Sequence, residues 1–153
     1  MRLTKDQREQ VRLKFGGVCA YCGEPLGQRW HADHFEAVQR KLQRNPETGR
    51  LSCSRSEAWA PQNDTIANLM PACPPCNIDK HTLSIEGWRR KLQAACEVLS
   101  RNNPTYRHAV RFGLVVESGA TVVFYFETVA RLSPRSLGAA CALQPEQQER
   151  AAP

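Results

Sequence analysis

Two Cys-x-x-Cys turns, Cys19-Ala20-Tyr21-Cys22 and Cys73-Pro74-Pro75-Cys76, constrain this chain more than any other feature. Four thiolates are the number and softness of donor that close a tetrahedral structural zinc site, and two such turns in one small chain point to a single metal staple. A redox dithiol would sit in a thioredoxin-like strand-to-helix pattern that is absent here, and an iron–sulfur cluster remains the competing use of the thiolates. Fifty residues separate the two halves, more than in a compact zinc ribbon, so the intervening chain must fold back.

A length of 153 residues allows one domain with a modest core. No apolar run reaches the roughly 18 residues of a membrane span, and the opening Met1 to Asp6 lacks the apolar centre of a signal peptide. A cytoplasmic protein with no membrane partner is expected. There, seven cysteines, an odd number, read as metal ligands in preference to disulfides. The net charge of +6 and a pI near 9.1 favour a polyanionic partner. Ten of the 21 Lys and Arg residues fall in the first fifty positions, beside the first cysteine pair.

Thr4 followed by Gln7 reads as a capping box, and Val11 and Phe15 give a sparse apolar face, which together predict a helix near 4–15. Its Lys5, Arg8, Arg12 and Lys14 could track a phosphate backbone or be a solvated face. Residues 27–35 alternate as a short strand ending at Asp33-His34. From 36 to 64 periodicity fades and basic residues collect, predicting a long basic loop or insertion with room for a short hairpin at Glu47-Thr48-Gly49. Cys53, within it, reads as an ordinary thiol.

Pro74 and Pro75 suit a helix's first turn, so a helix is expected over about 75–81. Ser84 caps another in which Ile85, Trp88, Leu92, Ala95 and Leu99 make one apolar stripe, with Trp88 and Cys96 read as core. A short helical piece from Asn103-Pro104 to Gly113 follows. Leu114 to Glu117 and Thr121 to Phe126, flanking Ser118-Gly119-Ala120, predict a β-hairpin. The domain reading is therefore 1–100 for the main unit, 101–132 for a helix and hairpin extension, and 133–153 for a disordered tail.

Asp33, His34, Asn68, Asn77 and His81 form a second constellation whose oxygen and imidazole donors suit a harder ion with open coordination positions. Asn77 and His81, four apart on a helix, would face one side. Asn63 rivals Asn68, His31 could be an auxiliary ligand or phosphate contact, and His108 has no partner in sequence.

Over about residues 8 to 81, the series Cys19-x-x-Cys22, Asp33-His34, Asn68-Leu69, Cys73-x-x-Cys76-Asn77 and Lys80 resembles the zinc-binding HNH endonucleases. That resemblance implies an α+β fold: a small zinc-stapled ββα-metal core with flanking helices, here joined by the C-terminal β-hairpin. It implies metal-dependent hydrolysis of DNA phosphodiester bonds, with His34 as general base and Asn68 as the middle asparagine that braces the loop and helps orient His34. Asp33 and Asn77 would hold a catalytic Mg²⁺ or Mn²⁺, and His81 matches a further ligand position found in some relatives. Cys19, Cys22, Cys73 and Cys76 would hold the structural zinc. The implied partner is double-stranded DNA, with RNA as the alternative substrate, and a homodimer or larger nuclease complex would serve double-strand cleavage. Two readings compete: a zinc-stapled nucleic-acid-binding protein without catalysis, and an interaction adaptor, which the basic balance disfavours.

Overall fold

The computed structural model describes residues 1–132, without the side chains of 55 and 56; the tail expected over 133–153 lies outside the described residues. α1 (Lys5–Leu13) opens on both halves of the predicted capping box: Gln7 N donates to Thr4 Oγ1 at 3.2 Å and Thr4 N to Gln7 Oε1 at 3.0 Å. Two of the basic side chains read in sequence as a phosphate track or a solvated face bond backbone carbonyls. Arg8 donates to the Trp30 carbonyl at 2.8 Å and lies over the Trp30 ring, while Lys14 reaches the carbonyls of Ala67 and Leu69.

Among the described residues the strands are β1 (His31–His34), β2 (Arg40–Arg44), β3 (Leu51–Ala58) and β4 (Leu69–Ala72). β1 pairs antiparallel with β4, His34 opposite Leu69 and Asp33 opposite Met70. Because β4 is buried along its length, this pair lies against the core, and α2 (Pro74–Lys80) follows directly with Cys73 as N-cap and prolines in its first turn. His81, expected inside this helix, is its C-cap at φ +50°, so the four-residue spacing from Asn77 does not put both side chains on one helical face.

The segment expected as a long loop is mostly a second antiparallel pair, β2 with β3, extending the short hairpin foreseen at Glu47-Thr48-Gly49. Asn45 Oδ1 accepts from the backbone N–H groups of Glu47 and Thr48, and Gly49 supplies the positive φ that closes the turn. A register shift after Arg40 interrupts the ladder. β2 and β3 pack chiefly on each other, with most residues exposed, so neither strand carries the alternation that would have marked it in sequence.

Ser84 caps α3 (Ile85–Gln93) as predicted, but the single stripe breaks: α4 (Ala95–Asn102) is a separate helix, Leu99 is 41% exposed, and Cys96 is exposed and not core. α5 (Pro104–Arg111) matches the short helix expected before Gly113. The predicted C-terminal β-hairpin is corrected. No strand occurs over 114–124, Leu114 and Val116 are exposed, and α6 (Tyr125–Leu132) occupies the end of the supposed second strand. The reason is a stronger partner for Phe124, which is buried and stacked on Trp88 at 4.9 Å, with Tyr21 edge-on to both rings. Tyr125 N and Phe126 N then donate to the carbonyls of Tyr21 and Ala20, binding this segment to the first cysteine turn. Among the described residues the fold is thus a mixed α and β one, with six α-helices and two small antiparallel sheets. None of these helices is long and apolar enough to cross a membrane.

Arg89 anchors α6 by donating to both carboxylate oxygens of Glu127 and to the Val122 carbonyl. Arg89 is the main reason the Glu127 carboxyl is held below its ordinary range. A depressed carboxyl contributes stability above its unfolded pKa, and the contribution is lost as pH falls through the lower folded value. Glu127→Gln should therefore flatten the acid limb of a pH-dependent melt below about pH 4. Trp88→Ala removes the centre of the aromatic group and should cost about 3–5 kcal/mol, read as a lower denaturation midpoint in urea.

Candidate functional site

The first cysteine turn is closed by Cys19 N donating to the Glu24 carbonyl at 2.8 Å and Gly23 N to the Cys19 carbonyl at 2.9 Å. Gly23 has φ +78°, and a Cβ there would meet the Tyr125 ring at 3.0 Å, so glycine is required twice over. Ala20 N donates to the Pro71 carbonyl and Cys73 N to Cys19 Sγ, which seats this turn against the end of β4.

The outcome is a quartet of sulfurs. Cys19, Cys22, Cys73 and Cys76 place their Sγ atoms within 4.8 Å of one another, and Cys22 to Cys73 measures 3.8 Å. A regular tetrahedron with metal–sulfur bonds of about 2.3 Å has edges of about 3.8 Å, so the donor set fits a structural metal such as zinc. The sulfurs also perturb one another. The Cys19 thiol is lowered to about 4, chiefly by a hydrogen bond from Cys76, whose own thiol that contact pushes up; burial is the main reason Cys22 rises to about 11. A metal bound by all four would displace the remaining thiol protons.

Beside the quartet, Asp33 is buried and its Oδ2 receives two contacts: Tyr21 Oη donates at 2.5 Å and Lys80 Nζ lies at 3.0 Å. Burial, then the adjacent Asp33 charge, pushes the Tyr21 phenol up, so it stays protonated and donates. Lys80, fully buried, also donates to the His34 carbonyl at 2.7 Å, tying the end of α2 to the end of β1. Removing either member of such a buried pair leaves an uncompensated charge. Among the described residues no hydrogen bond falls on Asp33 Oδ1.

His34 is half-buried, with Nε2 at 2.9 Å from Asp64 Oδ1. Asn68 works as a brace: Nδ2 donates to the carbonyls of Glu36 and Asn63, and Oδ1 accepts from Glu36 N. Asn63 is used differently, its Nδ2 donating to the Ala37 carbonyl. An open cavity of about 450 Å³ is lined by Asp33, His34, Arg40, Leu42, Cys53 and His81, among others. Asn77 is not one of its lining residues. His81 is exposed, with Nδ1 at 3.1 Å from Thr82 Oγ1. On the other side of His34, His31 lines a second cavity with Arg8 and Asp64.

Among His, Cys, Asp and Glu side chains of the described residues, the cysteine quartet is the group of three or more whose donors converge at metal-binding distance. Asp33, His34 and His81 therefore share a cavity without forming a closed metal cage. For a hard ion such as Mg²⁺, which keeps several waters and takes one or two carboxylates, Asp33 Oδ1 beside an open cavity is a compatible donor. Tyr21 and Asp64 were missed as site residues. Tyr21 lies inside the first cysteine turn, where its spacing carries no signal of a contact to Asp33, and nothing in sequence links Asp64 to a histidine thirty residues earlier.

Cys73→Ser should lower the metal content measured by elemental analysis and reduce the thermal midpoint. Chelation of the wild-type protein should produce a similar loss of stability, whereas Cys53→Ser should change neither.

No protein-family model, curated protein or solved structure matches this chain, so what the site does is read from its own residues.

Proposed function

We propose that this protein is a metal-dependent HNH-type endonuclease that hydrolyses DNA phosphodiester bonds, its core held by zinc on Cys19, Cys22, Cys73 and Cys76. The observation that carries the reading is that β1–β4 pairing and the Lys80 contacts bring Asp33, His34 and His81 to one open cavity, with Asp33 tied through Tyr21 to the first cysteine turn. A pure binding module has no need of a buried carboxylate and an accessible imidazole side by side at such a place. Two antiparallel strands followed directly by a helix are the arrangement that the resemblance to HNH nucleases calls for.

His34 takes a proton from water, whose oxygen bonds to phosphorus as the bond from phosphorus to the 3′ oxygen breaks; solvent returns a proton to the leaving oxygen. A divalent ion such as Mg²⁺ or Mn²⁺ held at Asp33, with His81 on the same cavity wall as the further candidate ligand, would polarise the phosphate and stabilise charge on the leaving oxygen; Asn77, expected as a second ligand, does not line that cavity. Asn68 holds the backbone beyond His34, and Arg40 contributes positive charge to the cavity wall.

Duplex DNA is supported by the β2–β3 ribbon. Arg40, Leu42 and Cys53 wall the catalytic cavity, Arg44 and Arg50 are exposed farther along, and exposed Trp59 sits under Lys41. A two-stranded ribbon has dimensions that a major groove accepts. Contacts to phosphate make affinity fall with salt, by roughly one unit of logarithmic slope per neutralised phosphate.

Supercoiled plasmid should be nicked by wild-type protein with Mg²⁺ or Mn²⁺ and left intact by His34→Ala, which should still bind. Binding without nicking under either ion would favour the non-catalytic zinc-stapled reading, and preferential cleavage of an RNA duplex would move the substrate class. Replacing Arg44 and Arg50 together by Gln should weaken duplex binding and reduce the salt slope by about two.

A further inference from the structure

Asp64 follows the short 3-10 turn at Pro61–Asn63, its backbone N–H donating to the Pro61 carbonyl at 3.0 Å. Its two carboxylate oxygens serve different partners. Oδ1 lies 2.9 Å from His34 Nε2, while Oδ2 faces the Met1 amino nitrogen at 2.5 Å and Arg40 Nη2 at 3.5 Å. The Met1 ammonium first, and His34 after it, hold the Asp64 carboxyl below its ordinary range. An ionised carboxylate only accepts, so the hydrogen bond to His34 requires the proton on Nε2. In a neutral imidazole that leaves Nδ1 with the lone pair, and among the described residues no group bonds Nδ1.

Asn68 holds both ends of this contact. Its Nδ2 donates at 2.8 Å to the Asn63 carbonyl, immediately before Asp64, and at 2.8 Å to the Glu36 carbonyl, two residues beyond His34. One amide thus fixes the two chain segments whose side chains meet.

We infer that Asp64 is the positioning residue of His34: it fixes the Nε2–H tautomer and leaves Nδ1 as the atom that accepts the proton of the attacking water, with Asn68 bracing the pair. The catalytic half of this assignment rests on the nuclease reading; the tautomer half does not. The distinction between the ring nitrogens matters because a base held in the wrong tautomer has no lone pair to offer.

The test combines long-range ¹H–¹⁵N correlation of the histidine rings with single-turnover and steady-state nicking. Both are made on the full chain as wild type, Asp64→Ala and Asp64→Asn, with His34→Gln to assign the resonance. Wild type should show His34 as the Nε2–H tautomer. Asp64→Ala should lose that bias and lower kcat by roughly 10- to 100-fold with KM little changed, a part of the roughly 10²- to 10⁴-fold that a positioned base supplies. Asp64→Asn, which keeps a carbonyl acceptor, should restore the tautomer and most of kcat. An Nδ1–H tautomer in wild type, an unchanged tautomer in Asp64→Ala, or an unchanged kcat in that variant would overturn the assignment. Wild-type protein that never nicks DNA would overturn the nuclease reading and the catalytic role with it, while the ring spectra would still decide whether Asp64 sets the tautomer.

Discussion

The convergence of four cysteine sulfurs from segments fifty residues apart is the constraint on which the remaining structure depends. The first turn cannot reach the second unless the chain between them leaves and returns, and β1 paired with β4 is the return path. That pairing sets a register in which Asp33 and His34 lie across from Met70 and Leu69, in the strand that leads into α2 at Pro74. The apolar core runs from Val11 through Tyr21, Trp30 and Leu69 to Trp88 and Phe124, and a metal held by the quartet would add to the stability that a domain of this size gains from such burial.

A second, electrostatic tie operates at the opposite end of α2. Lys80 has no exposure and is satisfied by Asp33 and the His34 carbonyl, so the helix is fastened to β1 through the residues proposed for chemistry. Buried charges are costly unless paired and hydrogen-bonded, and Tyr21 supplies the additional donor. Tyr21 is therefore shared: its hydroxyl serves Asp33 while its ring meets Trp88 and Phe124. Through it the cysteine turn, the candidate catalytic carboxylate and the α6 attachment form one connected structure.

The basic ribbon stands apart from this core and is fixed chiefly by its own ladder and by the Asn45 turn. Its cations are not equally available. Lys41 pairs with Glu57, Arg40 with Asp64, and Arg44 also donates to the Gly49 carbonyl. A count of basic residues therefore overstates the charge offered to a partner, as Arg8 and Lys14 also illustrate by capping backbone carbonyls.

By itself the sequence determined the local chemistry. The Thr4–Gln7 cap, the Ser84 cap, the Pro74–Pro75 helix start and each Cys-x-x-Cys turn depend on side chains within a few residues, where spacing is information enough, while the meeting of the two turns needs the intervening chain to fold back. What depended on distant partners was decided only by the tertiary structure. Leu114 to Phe126 has the composition of a hairpin, yet Phe124 gains more by stacking on Trp88 than by pairing in an exposed sheet, and a helix follows. His81 keeps its spacing from Asn77 but leaves the helix at a cap of positive φ, so periodicity could not place it. Asp64 reached His34, and Tyr21 and Lys80 reached Asp33, through chain reversals that leave no periodic trace in the sequence.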